Sequence, residues 1–371
     1  MKGRYEERQR RAQQRLEDRG ADAAIVYPGP NLQYFTGFRG EPVDRFHALY
    51  LPADGDVTLV TPAQYLTQAR RNVTADAFYR VDGNDPATVG DAIVSLLPSA
   101  PEGLLVDDRT PHALTAHLYD ALESGTIGSA APVCEAMRRR KDDDELAALQ
   151  RSADIADAVS EEIRLLGASA IGLTEAELAT KIRTKLHSYG ATAVSFDVVV
   201  GAGPNGADPA LRHSDREIRT GDPVVIDFGC FREGYASDQT RTVVFDGEPP
   251  TNPAEFESVH EAVHAALEAG IAAVEPGVSA GDVDRAARDT LEEYGYAERF
   301  THGTGHGVGL AAHEDLVIGP EATTTLEEGM VFSVEPGVYF EGEWGVRIED
   351  LVAVTQNGCI RLNDSSRAWK P

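Results

Sequence analysis

Two stretches of the chain place carboxylates in matching frames. The first contains Asp227 and Asp238, and the second, about a hundred residues later, contains Glu335 and Glu349. In each stretch one glycine precedes the first acid by six positions, another follows it by two, and a third precedes the second acid by four. Each first acid ends an apolar run, where burying an unpaired carboxylate costs several kcal/mol or more unless a cation, a proton or several donors compensate it. Four acids in two matched frames therefore predict a site for two metal ions.

Five histidines lie between the second acid of one frame and the first acid of the other, and three of them are close together. His302, His306 and His313 occur in a segment that has glycine at every second position from 303 to 309. Such a segment leaves the backbone accessible and leaves room for a ligand, and three histidines among glycines have little packing role. Oxygen-rich ligation with one imidazole suits Mn²⁺, Co²⁺, Fe²⁺ or Zn²⁺.

A second histidine pattern resembles a zinc-peptidase motif but has a simpler explanation. His260 and His264 are one helical turn apart with Glu261 between them. On a helical wheel both flank an apolar stripe, so we interpret them as neighbours of a packed helix face. The stripe consists of Phe256, Val259, Val263, Leu267 and Val274.

The glycines of residues 201–206 match a dinucleotide-binding fingerprint after an apolar run. That fingerprint should open a helix, whereas Pro209 follows early and no amphipathic pattern continues. We expect a loop near the site in place of a phosphate cradle.

Composition limits the possible partners and compartments. The 371 residues carry a net charge of −27, which argues against nucleic acid because phosphate binding needs a positive patch. Acids spread along the chain, with five lysines among the 34 basic residues, are typical of adaptation to high salt. No apolar run approaches the length of a membrane span, and the charged start lacks the apolar region of a signal peptide. Three isolated cysteines indicate buried thiols in a reducing compartment. We expect a cytoplasmic protein with no membrane partner.

The first 132 residues are predicted to form a separate, smaller mixed α/β domain. The expected order is a charged helix over Glu6–Arg19, a buried strand over Ala23–Tyr27, a loop over Pro28–Gly37 and a hairpin turning at Asp54–Asp56. Two later helices and a strand are expected at Ala87–Leu97, Ala113–Leu122 and Leu104–Val106. The charge pattern of residues 137–145 predicts a hinge and the start of a long helix reaching about Leu166.

The remainder of the chain, residues 133–371, is predicted to consist of two similar halves. Gly172 and Gly277 each precede a helix that ends at a Tyr-Gly pair seventeen residues later. Thr174 with Glu177 forms a capping box, and Ser279 with Asp282 nearly repeats it. A long helix precedes each cap, and each half ends with its pair of acids. The order helix, helix, strands occurring twice predicts a metal site on a pseudo-twofold axis.

These motifs resemble the pita-bread metallopeptidases, which include Xaa-Pro aminopeptidases, prolidases and methionine aminopeptidases. The resemblance spans nearly the whole chain, and residues 30–37 look like the amino-terminal domain of the prolidase and creatinase branch. It implies an α/β (α+β) architecture with a carboxyl-terminal pita-bread domain, and cleavage of Xaa-Pro bonds in dipeptides or short peptides. A homodimer is implied in the same way.

The resemblance also implies roles for individual residues. Asp227 would chelate one ion, His306 and Glu335 the other, and Asp238 and Glu349 would bridge two divalent ions, with Mn²⁺ favoured over Co²⁺, Zn²⁺ or Fe²⁺. Glu335 would accept the proton of the attacking water and pass it to the leaving nitrogen. His302 and His313 would line the substrate site, with His313 stabilising the oxyanion. Tyr339 and Arg347 fall where the family places supporting polar groups.

One departure bears on the substrate. The family carries a histidine after the proline of the loop that corresponds to residues 205–209, and this chain has Ala210 there. His213, three residues further on, is the candidate replacement. A C–N hydrolase or lyase acting on a small non-peptide substrate is the alternative function that would account for Ala210.

Overall fold

The computed structural model describes residues 2–40, 46–83, 85–122, 125–249 and 253–371. The chain divides into two units, Met1–Arg138 and Arg139–Pro371. The predicted domain boundary, between residues 132 and 133, falls inside a helix that spans Ala131–Arg138. Within the described ranges, no helix combines the length and the apolar character needed to cross a membrane.

A six-stranded mixed sheet forms the centre of the first unit, with strand order β4-β3-β2-β1-β5-β6. Its strands are β1 (Ala23–Val26), β2 (Ala48–Pro52), β3 (Thr58–Pro62), β4 (Ala77–Val81), β5 (Gly103–Val106) and β6 (Thr126–Ser129). The helices are α1 (Lys2–Glu17), α2 (Pro30–Thr36), α3 (Leu66–Asn72), α4 (Pro86–Val94), α5 (His112–Ala121) and α6 (Ala131–Arg138). Strands β2 and β3 form the antiparallel pair that was predicted to turn at Asp54–Asp56.

Helix α2 replaces the loop predicted over Pro28–Gly37, so that prediction was wrong. Proline at the first helical position fits the helix start because it needs no hydrogen-bond partner there. Gly37 ends the helix in the left-handed conformation at φ 80°, which glycine adopts without a steric penalty. Leu32 and Phe35 are fully buried, so burial of apolar side chains outweighs the weak helix propensity of the other residues.

The second unit contains four long helices and thirteen strands within its described residues. The helices are α7 (Asp143–Arg164), α8 (Glu175–Ser188), α9 (Pro253–Ala272) and α10 (Ala280–Glu293). The strands of the first half are β7 (Ala193–Val194), β8 (Val199–Ala202), β9 (Val224–Asp227), β10 (Cys230–Arg232), β11 (Tyr235–Ala236) and β12 (Thr240–Val243). Those of the second half are β13 (Gly305–Gly307), β14 (Glu314–Ile318), β15 (Val331–Val334), β16 (Gly337–Phe340), β17 (Trp344–Arg347), β18 (Asp350–Thr355) and β19 (Gly358–Arg361).

The two halves repeat the same local devices, which confirms the duplication. Helices α8 and α10 both begin with a complete capping box, at Thr174 and Ser279. Each of these caps also forms an isolated antiparallel bridge, Thr174 to Glu217 and Ser279 to Thr325. The capping boxes satisfy two free backbone donors at each helix start and so fix where the helices begin.

Sheets from the two halves carry the two acid frames. In the first half β9 lies between β12 and β8, and in the second half the order is β14-β13-β15-β18-β19. Antiparallel pairing fixes which backbone positions face one another, with Asp227 opposite Thr240 and Val334 opposite Asp350. Apolar residues of α7 and α8 cover the first group of strands, and those of α9 and α10 cover the second. Each pair of acids therefore stands at the edge of a packed core.

Candidate metal centre

Asp227, the last residue of β9, has two carboxylate oxygens in different environments. Its Oδ2 accepts a hydrogen bond of 2.7 Å from Nη2 of Arg347. Its Oδ1 is buried and has no hydrogen-bond partner among the described residues. An ionised oxygen in this situation needs a compensating positive charge.

Asp238 and Glu349 are the most deeply buried acids of the group, with 3% and 1% of their surfaces exposed. Burial raises the pKa of Asp238 well above its usual value, and the nearby carboxylates of Glu349, Asp227 and Glu335 raise it further. Burial likewise raises the pKa of Glu349 well above its usual value, together with Glu335 and Asp227. Thr240 Oγ1 donates a 2.6 Å hydrogen bond to Glu349 Oε2 and so orients that carboxylate. Like charges gathered in a buried site favour a bound cation.

His306, at the centre of β13, joins these acids. A ligand atom from each of Asp238, His306 and Glu349 lies within 4.8 Å of the others. Nδ1 of His306 lies 3.1 Å from the carbonyl oxygen of Gly307, so this nitrogen donates the hydrogen bond and Nε2 is left as the ligand atom. Nε2 lies 3.7 Å from Asp238 Oδ2 and 3.5 Å from Glu335 Oε1. Burial lowers the pKa of His306, which favours the neutral form that a metal needs.

Glu335 directly follows β15, and its carboxylate lies near His306. Its backbone N–H donates a 2.7 Å hydrogen bond to Thr304 O, and its Oε1 accepts one of 3.1 Å from Ser333 Oγ. Burial raises the pKa of Glu335, although Arg347 and His302 act in the opposite direction. The structure thus brings all five predicted ligands into one site.

Arg347, Tyr339 and His302 form a hydrogen-bonded chain beside the acids. Arg347 Nη1 donates to the Tyr339 hydroxyl oxygen at 3.1 Å, and the same hydroxyl lies 2.8 Å from His302 Nε2. Nδ1 of His302 lies 2.8 Å from Gly303 O, so Nδ1 donates and Nε2 accepts from Tyr339. Burial lowers the pKa of His302. This chain fixes the guanidinium that holds Asp227.

His313 stacks on His306, with ring centroids 3.9 Å apart and an angle of 28° between the rings. Burial lowers the pKa of His313, and the neighbouring His306 lowers it further. A neutral imidazole at this position retains one N–H that can donate to a substrate oxygen.

A cavity of about 610 Å³ opens onto these residues. Its remaining walls combine apolar side chains with one acid and one base: Phe196, Val199, Pro209, Ala210, Val317, Asp197 and Arg212. His213 is not among the described residues that line the cavity, and its Nδ1 lies 2.8 Å from Val198 O. Ala210 does line it, so the loop after the Gly201–Gly206 pattern borders the site.

Residues 201–206, for which a loop was predicted, form the end of β8 and part of a short 3₁₀ helix. Strand β8 runs directly into a short 3₁₀ helix over Gly203–Ala207. The two histidines of the zinc-peptidase pattern flank a packed helix face as expected, because His260 is buried beside Phe256 and the half-exposed His264 pairs with Glu268.

Sequence reasoning missed the side chains that support the site. Glu175 is fully buried and accepts hydrogen bonds from Ala202 N, Asn205 Nδ2 and both donors of Ser214, so it fixes both ends of the cavity loop. Thr240 bridges Glu349 and Arg347. These contacts join residues far apart in the chain, and no local motif marks them.

The chemistry and the placement of the donor set fit divalent metal ions. Four carboxylates and one imidazole provide hard oxygen ligands with one nitrogen. The buried Asp227 Oδ1 has no hydrogen-bond partner among the described residues. Burial and neighbouring carboxylates raise the pKa values of Asp238 and Glu349, and a bound cation would offset both effects. Threonine, serine and arginine orient the ligands, as outer-shell groups of metal sites do.

Comparison with known proteins identifies the class to which this fold and site belong. The sequence profile of metallopeptidase family M24 matches residues 147–356, more than half of the chain, and the creatinase/prolidase N-terminal domain matches residues 8–140. The chain belongs to metallopeptidase family M24, so it is a metallopeptidase with the pita-bread fold, and the family implies divalent metal ions.

Individual relatives are similar to this chain along almost its whole length. A probable dipeptidase PepE of Mycobacterium tuberculosis is 40% identical over 353 residues, covering 94% of this chain and 91% of the relative. The crystal structure of dipeptidase PepE from Mycobacterium ulcerans is 36% identical with a TM-score of 0.88, over 99% of this chain and 97% of the other. A recombinant prolidase from Thermococcus sibiricus is 35% identical with a TM-score of 0.90, over 98% of both chains.

Proposed function

We propose that this metallopeptidase hydrolyses dipeptides with proline in the second position, using two divalent ions. One observation carries the proposal: a ligand atom from each of Asp238, His306 and Glu349 lies within 4.8 Å of the others, with Asp227 and Glu335 beside them. The dipeptidases and prolidase similar to this chain support the substrate class.

Five side chains would hold the ions. Asp227 would bind one ion through Oδ1, His306 and Glu335 would bind the other, and Asp238 and Glu349 would lie between them. Bound there, the ions would supply Lewis acidity that brings the pKa of a water molecule close to neutrality. Manganese is the metal we favour, because the donors are mainly carboxylate oxygens.

The chain's own residues would then transfer the protons and stabilise the developing negative charge. Glu335 would accept the proton of the attacking water and deliver it to the leaving nitrogen. His313 would donate its N–H to the oxygen of the scissile carbonyl as negative charge builds there. One such donor is typically worth about 3 kcal/mol in the transition state.

The cavity suits a small substrate with one compact apolar side chain. A volume of about 610 Å³ lies within the range of sites for small molecules, roughly 300–1,000 Å³. Phe196, Val199 and Val317 offer apolar surface to a proline ring. The two charged residues of the cavity wall, Asp197 and Arg212, form an exposed ion pair with each other.

Hydrolysis of a matched pair of dipeptides tests the proposal. Protein stripped with a chelator and reloaded with Mn²⁺ should release proline from Ala-Pro and should cleave Ala-Ala much more slowly. Omission of the metal should abolish both reactions. Failure to hydrolyse any Xaa-Pro dipeptide, with turnover of a cyclic amidine or a similar compound, would replace the proposal with the non-peptide alternative.

A further inference from the structure

Glu314, the residue that follows His313 in the chain, belongs to a buried ion pair. Lys141 Nζ and Glu314 Oε2 are 3.0 Å apart, and only 2% and 5% of the two side chains are exposed. The partners are 173 positions apart in the sequence. Burying two charges costs several kcal/mol per ion before their attraction is counted, so the net contribution of such a pair to stability is often small.

The carboxylate of Glu314 fills the turn that presents His313. Its Oε1 accepts a 3.3 Å hydrogen bond from Ala311 N. A Cβ added at Gly309 would lie 2.7 Å from the same carboxylate, so the turn closes around Glu314 with no room to spare. His313 directly precedes Glu314, and its ring stacks on His306.

Lys141 is anchored to the strand that leads to Glu335. Its backbone N–H donates a 2.8 Å hydrogen bond to Gly329 O, and Arg140 forms an isolated bridge with Met330. Gly329 has a φ of +86°, and a Cβ there would lie 2.7 Å from Lys141 O, so only glycine fits. Gly329 is also the first glycine of the second acid frame. Lys141 therefore ties the start of β15, the strand that directly precedes Glu335, to the turn that carries His313.

We infer that Lys141 is a positioning residue: through Glu314 it holds the imidazole of His313 against His306. The consequence for catalysis rests on the proposed function, in which His313 binds the carbonyl oxygen of the substrate. Lys141 itself touches neither the cavity nor the proposed metal ligands among the contacts described. Its replacement should therefore affect the chemical step more than metal binding.

The adjacent Arg140 supplies a matched control. Its Nη1 pairs with Glu327 Oε2 at 2.8 Å, but 58% and 50% of the two side chains are exposed. Lys141→Met should lower kcat for Ala-Pro by about tenfold to 100-fold, the usual effect of misplacing a catalytic group by about 1 Å. KM and the number of bound metal ions should change little. Lys141→Arg should restore part of the activity, and Arg140→Met should behave as the wild type.

A double-mutant cycle separates positioning from general structural support. If Lys141 acts through His313, the Lys141→Met/His313→Ala protein should be no slower than His313→Ala alone. Full additivity of the two losses would overturn the inference. Should Lys141→Met fail to fold, the same cycle with Glu314→Gln, which keeps an acceptor for Ala311 N, gives the same test.

A crystal structure of Lys141→Met (or of Glu314→Gln) tests the inference without any substrate. The stacking of His313 on His306 at 3.9 Å should be lost. Retention of the wild-type ring geometry would overturn the inference whatever the activity. Absence of peptide turnover in the wild type, with the ring displaced in the variant, would instead count against the proposed function alone.

Discussion

Arg347 forms a hydrogen bond with one of the two carboxylate oxygens of Asp227. Arg347 Nη2 donates a 2.7 Å hydrogen bond to Asp227 Oδ2, and Asp227 Oδ1 is buried without a partner among the described residues. Burial alone would lower the pKa of Arg347, but Tyr339, Asp227 and Glu335 raise it well above its usual value. The guanidinium is therefore charged at every working pH and fixes the direction in which Asp227 Oδ1 points.

Replacement of Arg347 should weaken metal binding. Arg347→Met removes the donor that orients Asp227, and the loss of such an outer-shell partner typically costs about 10-fold to 100-fold in metal affinity or activity. Isothermal titration of the stripped protein with Mn²⁺ measures the effect. Arg285→Met, which removes an exposed arginine paired with Asp282, is the control and should bind metal as the wild type does. Equal affinity for Mn²⁺ in the two variants would show that Arg347 does not support the metal site.

Asp238→Asn should abolish both the tight binding of metal and the turnover of peptide substrates. The change keeps the size of the side chain and removes the negative charge from the centre of the cluster. His264→Ala should leave both properties intact, since His264 is half-exposed and pairs with Glu268 on the surface of α9. Metal content per chain, measured by mass spectrometry after desalting, compares the two. Loss of metal in His264→Ala would revive the helical zinc motif.

Ala210→His tests whether this chain departs from its family in substrate. The side chain at position 210 lines the cavity, so an imidazole there can reach a bound peptide. If the departure limits proline-peptide cleavage, kcat/KM for Ala-Pro should rise by about tenfold or more, a modest contribution for one general acid–base group. Leu211→His is a neighbouring control and should give no increase. An unchanged kcat/KM in Ala210→His would show that the wild-type cavity already recognises its substrate without this imidazole.

His260 should make the protein less stable as the pH falls from about 6.5 to about 4. Burial, together with His264 and Arg164, lowers the pKa of His260 to about 4, although a hydrogen bond with the backbone of Arg367 acts in the opposite direction. The unfolded chain binds a proton near pH 6.5, so protonation favours unfolding across this window. The contribution is roughly 3 kcal/mol, from 1.36 kcal/mol per pKa unit.

Unfolding by urea at pH 7 and pH 4.5, in chelator to exclude metal effects, measures this dependence. His260→Gln cannot titrate, so its free energy of unfolding should fall less between the two pH values than that of the wild type. Equal losses in the two proteins would mean that His260 is accessible to protons in the folded state.

The starts of the helices in each half could be predicted because short sequence patterns mark them. The capping boxes at Thr174 and Ser279 specify helix starts within four residues of sequence, and the structure has both. The acid frames were visible because Gly221 and Gly329 adopt positive φ before a strand, which restricts those positions to glycine. The helix over Pro30–Thr36 was missed because its signals, proline at the start and Gly37 at the end, also occur in loops.

The supporting contacts could not be predicted because they depend on tertiary distance. Lys141 and Glu314 are both surface residue types, and nothing near either residue indicates that they meet in a buried pair. The orientation of His213 is a second example. Its spacing from Pro209 allowed it to enter the site, but its Nδ1 lies against Val198 O because the backbone continues along the edge of β8. The residue types of the ligands can be recognised in the local sequence. The direction in which each side chain points depends on tertiary packing.

Anomalous diffraction from crystals soaked in Mn²⁺ tests the central claim most directly. We expect two peaks about 3.5–4 Å apart, as in other two-metal sites. Both should lie within coordination distance of the predicted ligands, which are Asp227, Asp238, His306, Glu335 and Glu349. A single peak, or peaks bound elsewhere in the chain, would contradict the account.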